Sequence, residues 1–154
     1  MDDMELGAME LYHATGDRQY LTQAVEYGRR EPVTPWMGAD SARHYQWYPF
    51  LNLGHYHLAK AGDPRLRKEF IRNLRTGLER SYEKALESPF LHGVPYVWCS
   101  NNLTVALFFD LNADCNVSGR AFIRHHLCHL IDRTVSRLIG CVVGLSHFTE
   151  RKNG

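Results

Sequence analysis

Leu6-Gly7-Ala8-Met9-Glu10-Leu11, followed by Ala14-Thr15-Gly16-Asp17, returns 47 residues later as Leu53-Gly54-His55-Tyr56-His57-Leu58, followed by Ala61-Gly62-Asp63. The second copy has one residue less before its turn, so the last glycines stand 46 apart. Each copy reads as a buried helix, a Gly-Asp turn and an amphipathic helix. Gly16 can take the left-handed position that ends a helix, and Asp17 can cap the next one. A hairpin of this kind cannot bury its apolar face alone. Repetition therefore predicts an all-α fold in which hairpins stack into a larger array or a closed ring.

The flanks extend the pattern. Asp2 or Asp3 can cap the first helix, with Glu5 in its first turn favoured by the helix dipole. Met4, Leu6, Ala8, Met9, Leu11 and Tyr12 make that helix apolar on more than one side, as for an inner helix. Tyr20, Leu21, Ala24, Val25 and Tyr27 to Gly28 form the single stripe of an outer helix. In the second unit the inner helix is predicted from Tyr48 or Phe50 to Lys60. Pro64 suits the first turn of the outer helix, where Leu66, Phe70, Leu74, Leu78 and Tyr82 recur every four residues until Ser88-Pro89 stops it. A third unit starts at Asn101 or Asn102, and its turn is expected at Leu111-Asn112-Ala113-Asp114.

Two loops carry the aromatic residues. Residues 31–45 contain Pro32, Pro35 and Gly38, with Trp36, His44, Tyr45, Trp47 and Tyr48 in or beside them. Ordered loops of this length are often functional. The second loop runs Pro95-Tyr96-Val97-Trp98-Cys99-Ser100-Asn101-Asn102-Leu103 into the third inner helix. Ser100, Asn101 and Asn102 are all suitable N-cap residues. Two readings of Trp98 stand side by side. It is a core aromatic with amides that only cap, or it is a flat platform beside polar amides, a combination that suits a sugar ring.

The totals exclude several classes. The 154 residues fit one domain, and 44% hydrophobic content allows a packed core. A formal charge of +1 makes no case for nucleic acid. No apolar run reaches membrane-spanning length. Met1-Asp2-Asp3-Met4-Glu5 lacks the basic and apolar regions of a signal peptide. Cys99, Cys115, Cys128 and Cys141 show neither zinc-ribbon nor disulfide-framework spacing. Residues 115–154 carry a net charge of +4 against −3 for residues 1–114, and they lose Trp, Tyr and Pro entirely. The chain is thus read as a helical domain, 1–114, and an atypical basic tail, 115–154. The tail is a frame-shifted or mis-spliced end, a truncated end, a divergent third hairpin or a separate function. His125, His126, Cys128 and His129 have helical metal-ligand spacing, but no second ligand cluster accompanies them.

Residues 2–17, Tyr45-Gln46-Trp47-Tyr48-Pro49-Phe50 and Trp98-Cys99-Ser100-Asn101-Asn102-Leu103 together resemble the catalytic domain of family 9 glycoside hydrolases. The likeness covers about residues 1–107 and agrees with the hairpin reading. It implies an (α/α)6 barrel and inverting hydrolysis of β-1,4-glucosidic bonds in cellulose or β-glucan. Inversion needs two carboxyl groups with room for water between base and sugar. The family supplies them from Asp-Ala-Gly-Asp and Asn-Glu motifs, and neither occurs where the family would place it. The chain alone is therefore expected to be inactive, with no catalytic residue, cofactor or metal assigned. The resemblance implies a sugar-stacking Trp98 beside Asn101 and Asn102, cleft-mouth Asp2 and Asp3, and cleft aromatics Trp36, His44, Tyr45 and Trp47. The expected partner is β-glucan or a cello-oligosaccharide, without nucleic acid or membrane. The alternative is a non-catalytic glucan-binding or self-associating helical remnant, because part of a barrel exposes its inner-helix faces. Family members are generally exported, but no export signal is read here.

Overall fold

The computed structural model describes residues 1–43, 46, 48–89, 92–98 and 100–118, the side chains of 115, 116 and 118 apart. His44, Tyr45, Trp47, Cys99 and nearly all of the basic tail, including His125, His126, Cys128 and His129, lie outside the described residues. The described part is all-helical. Its helices are α1 (Asp2–Thr15), α2 (Arg18–Arg30), α3 (Leu53–Lys60), α4 (Pro64–Glu87) and α5 (Ser100–Ser118).

The turn chemistry does what the sequence requires. Gly16 and Gly62 both have positive φ, 73° and 92°. The Asp17 carboxylate accepts from the Gln19 N–H at 2.9 Å, and Asp63 accepts from the Arg65 N–H at 2.7 Å. Pro64 occupies the first turn of α4, and Ser88 caps its end. Both hairpins, α1–α2 and α3–α4, therefore form as the repeat predicts.

Contacts between elements fix their directions. Asp2 meets Asn52, Glu5 meets His55, and His13 meets His57, so α1 and α3 run parallel. Asp110 meets Asn52, while Val117 packs in one cluster with Leu58 and Ala59, so α5 runs parallel to α3. On the outer side, Arg29 of α2 forms a two-pronged ion pair with Glu69 of α4, at 2.8 and 2.9 Å. The core lies between these layers. It joins Ala8 and Met9 of α1, Ala24 and Val25 of α2, Leu58 and Ala59 of α3, Phe70 of α4 and Val117 of α5.

Three expectations are corrected. α3 begins at Leu53, not Tyr48 or Phe50, because Asn52 takes a left-handed conformation, φ 64°, that helical backbone cannot continue through. α5 continues through 111–114 without a turn. Leu103, Ala106, Leu107, Asp110, Leu111, Asp114 and Val117 form one buried stripe, and no glycine interrupts it. α1 is covered on one side only among the described residues: Glu5, Ala8 and Met9 are buried, but Met4 and Leu11 are about half exposed.

Candidate functional site

Two groups of polar and aromatic residues stand out. The first is buried between the parallel helices. Asn52, at the N-terminus of α3, is its hub. Its backbone N–H donates to Asp2 Oδ1 at 2.8 Å, and its Nδ2 donates to Asp110 Oδ2 at 2.9 Å. Its side-chain carbonyl accepts from the Thr34 hydroxyl at 2.7 Å. The left-handed backbone of Asn52 turns its amide toward α1 while its side chain reaches the loop and α5. One residue thereby ties four segments together.

One turn further along α3, His55 Nδ1 lies 2.7 and 2.8 Å from the two carboxylate oxygens of Glu5. Its Nε2 lies 3.2 Å from the Pro32 carbonyl. Both partners can only accept, so the ring presents N–H on both sides, the protonated imidazolium. Burial disfavours that charge, but the Glu5 carboxylate and the Pro32 carbonyl outweigh it and raise the His55 pKa. Two glycines make room for this pair. A Cβ at Gly54 would stand 2.7 Å from Glu5 Cγ, and one at Gly28 would stand 2.8 Å from Glu5 Oε1. Glu5 lies in the first turn of α1, as expected, and is also a buried partner of α3.

The carboxyl groups around Asn52 are strongly perturbed. Burial raises Asp2 to about 6, against the opposing Asn52 N–H. Asp110 is raised well above its ordinary value, again by burial. Each keeps one buried oxygen, Asp2 Oδ2 and Asp110 Oδ1, without a partner among the described residues. Perturbed carboxyls of this kind are what proton-transfer chemistry uses. Here, though, Asp110 is fully enclosed. The arrangement holds protons and joins helices. Asp2 is accordingly turned into the protein and not offered at a cleft mouth, while its neighbour Asp3 is exposed.

The second group lies at the surface ahead of α5. Tyr96 is 89% exposed and Trp98 75% exposed, so Trp98 is not a core aromatic. Asn101 is exposed and Asn102 half-buried in the first turn of α5. Ser100 to Asn102 are already helical, so they do not occupy the cap position. Tyr96, but not Trp98 or the asparagines, also lines an open pocket of about 370 Å³, whose lining includes Asp40, Lys84, Glu87, His92 and Pro95. Lys84 forms an ion pair with Asp40, and the His92 and Tyr96 rings meet edge to face at 5.9 Å. The pocket offers an aromatic wall with donors and acceptors of both charges, which suits a ligand with an apolar face and a hydroxylated edge.

Of the residues expected at a glucan site, Trp98 and Asn101 are exposed and Asn102 is half-buried around the start of α5. Trp36 is corrected: it is wholly enclosed, with no ring face open to a ligand. Its loop packs inward, with Thr34 held by Asn52 and Met37 lying against Gly77 of α4. The sequence reading missed the pocket residues Lys84 and His92. They come from the end of α4 and the following loop, and no spacing rule brings such positions together. Searches of family models, curated proteins and solved structures returned no match to this chain.

Proposed function

We propose that this chain is part of a family 9 glycoside hydrolase-type (α/α)6 barrel and that it holds β-1,4-glucan at the Tyr96–Trp98 surface without cleaving it by itself. The observation that carries this reading is the exposure of Trp98 just ahead of α5, two residues after Tyr96, which lines an open pocket. Large aromatics left in water on one side mark recognition surfaces, and sugar rings stack on them. Three parallel helices, α1, α3 and α5, with α2 and α4 behind them, are consistent with consecutive hairpins of such a barrel. The motifs that would supply the two catalytic carboxylates are absent, and the perturbed Asp2 and Asp110 are turned inward.

The test is calorimetric titration of the full chain with cellohexaose, alongside assay of reducing-sugar release from β-glucan. Binding is expected, with Trp98→Ala weakening it at least about tenfold, roughly 1.4 kcal/mol, at unchanged helix content. Binding that survives Trp98→Ala removes the case for this surface. Hydrolysis that disappears in Asp3→Ala would show that the chain has carboxylate chemistry of its own.

A further inference from the structure

At the far end of α1 and α3 from Asn52, three ligand-type side chains converge. Glu10 and His13 stand three residues apart on α1, so they share a face, and His57 approaches from α3. Glu10 Oε1 lies 3.8 Å from His13 Nδ1 and 3.7 Å from His57 Nε2. The two imidazole rings meet edge to face at 5.1 Å. One ligand atom from each residue lies within 4.8 Å of the other two. A zinc ion bound at about 2.1 Å in tetrahedral geometry needs its ligand atoms roughly 3.4 Å apart. Two of the separations are already within half an ångström of that spacing. Glu10 and His13 are exposed, so small side-chain rotations supply the rest.

We propose that Glu10, His13 and His57 form a surface site for a divalent transition-metal ion of the zinc type, and that the bound ion clamps α1 to α3. Two imidazoles and one carboxylate are a zinc-type donor set, and nitrogen donors disfavour calcium and magnesium. Solvent is left to fill the fourth position. Both histidines lie in the last turns of their helices, where the free carbonyl groups favour a cation. Lys60 is a nearby cation that bears on His57. It is drawn aside by Tyr56, whose hydroxyl accepts from its Nζ at 3.3 Å and whose ring lies 5.0 Å beneath it. This site shares no residue with the Trp98 surface, so it stands or falls separately from the glucan reading.

The experiment is a titration of the full, chelator-treated chain with Zn²⁺ by calorimetry, and with Co²⁺ by visible absorption and paramagnetic proton NMR. Saturable Zn²⁺ binding is expected, with Co²⁺ shifting the ring protons of His13 and His57. His13→Ala and His57→Ala should each weaken that event at least about tenfold. Zn²⁺ should also raise the melting temperature of the parent chain but not of these variants, because a ligand that binds only the folded state stabilises it. A Cys128→Ala/His129→Ala variant should keep the event, which separates this site from the tail ligands. No Zn²⁺ binding below millimolar concentration, unshifted His13 and His57 signals, or full binding in both single variants would overturn the proposal.

Discussion

Asn52 concentrates more structural work than any other described side chain. It bonds Thr34, Asp2 and Asp110 at once, and it does so from a backbone conformation that costs a non-glycine residue about 1 kcal/mol. Asn52→Ala removes the side-chain partner of Thr34 and Asp110, both in buried surroundings. Unsatisfied buried groups cost about 1–3 kcal/mol each, so the variant should lose about 3 kcal/mol in urea denaturation. Asn52→Gly loses the same bonds but relaxes the backbone, so it should be about 1 kcal/mol more stable than Asn52→Ala. Equal stability of the two would mean that the left-handed conformation is not retained in solution. The neighbouring carboxyls set the pH response. A folded-state pKa raised above the unfolded value means the native state binds more protons than the unfolded one, so stability falls as pH rises. For Asp2 the window runs from about 4 to about 6, and at about 1.4 kcal/mol per unit the loss is on the order of 3 kcal/mol. Asp110 adds in the same direction from about pH 4 upward. His55, also raised, contributes stability that is full below its unfolded pKa of about 6.5 and is lost as pH rises through its folded value. Melting curves from pH 4.5 to 8 should therefore fall with pH, and Asp2→Asn should flatten the lower part of that slope.

The two Leu-Gly pairs look equivalent in sequence, but their helices use them differently. Gly54 lies against the buried Glu5 side chain, whereas a Cβ at Gly7 would meet nothing within 4 Å. Gly54→Ala should overpack the helix contact and cost about 1–3 kcal/mol. Gly7→Ala should instead stabilise α1 by roughly 0.5–1 kcal/mol, since alanine is the better helix former. Paired denaturation curves check both signs. These helices also show what the chain made legible and what it hid. Hairpin order, the turns at Gly16 and Gly62, the caps at Asp17 and Asp63, and the buried stripe of α4 follow from local chemistry, which spacing reports well. The extension of α5 past Asp110 was hidden because Asp114, with Leu111-Asn112-Ala113, read as a turn. Asp110 and Asp114 both sit in the buried stripe, where Asn52 and Arg75 bond them, the latter at 2.8 Å. The same blindness concealed the Glu5–His55 pair, which joins positions 50 apart. On the candidate site, the aromatic stretch from Tyr96 to Asn102 was visible as a motif. The exposure of Trp98 and the enclosure of Trp36 were not, because both depend on which way a loop packs.

Across the described molecule, large apolar side chains remain in water. Met4 and Leu11 stand one heptad apart on α1, and Val105 and Phe108 stand one turn apart on α5, all about half exposed. On the proposed barrel reading these are inner-helix faces that further hairpins would cover. A chain displaying them should self-associate, and light scattering should show mass rising with concentration. Val105→Glu with Phe108→Glu should lower that tendency without loss of helix content. A concentration-independent monomer in the parent chain would count against the barrel assignment. No helix among the described residues is long and apolar enough to cross a membrane.

The hub at Asn52 also governs when this molecule can acquire its fold during synthesis. Its partners come from positions 2, 34 and 110, so the contact closes only after α5 has left the ribosome. The first hairpin is local and can form early, since helical contacts of short sequence separation form fastest. Until Asp110 arrives, the Asn52 carboxamide has only Thr34, and the groove between α1 and α3 stays wet. Nascent chains stalled before codon 110 should therefore carry helices without native protection of the Asn52 side-chain Nδ2 protons. That protection should appear once α5 is complete, making α5 the latch of a cotranslational folding sequence.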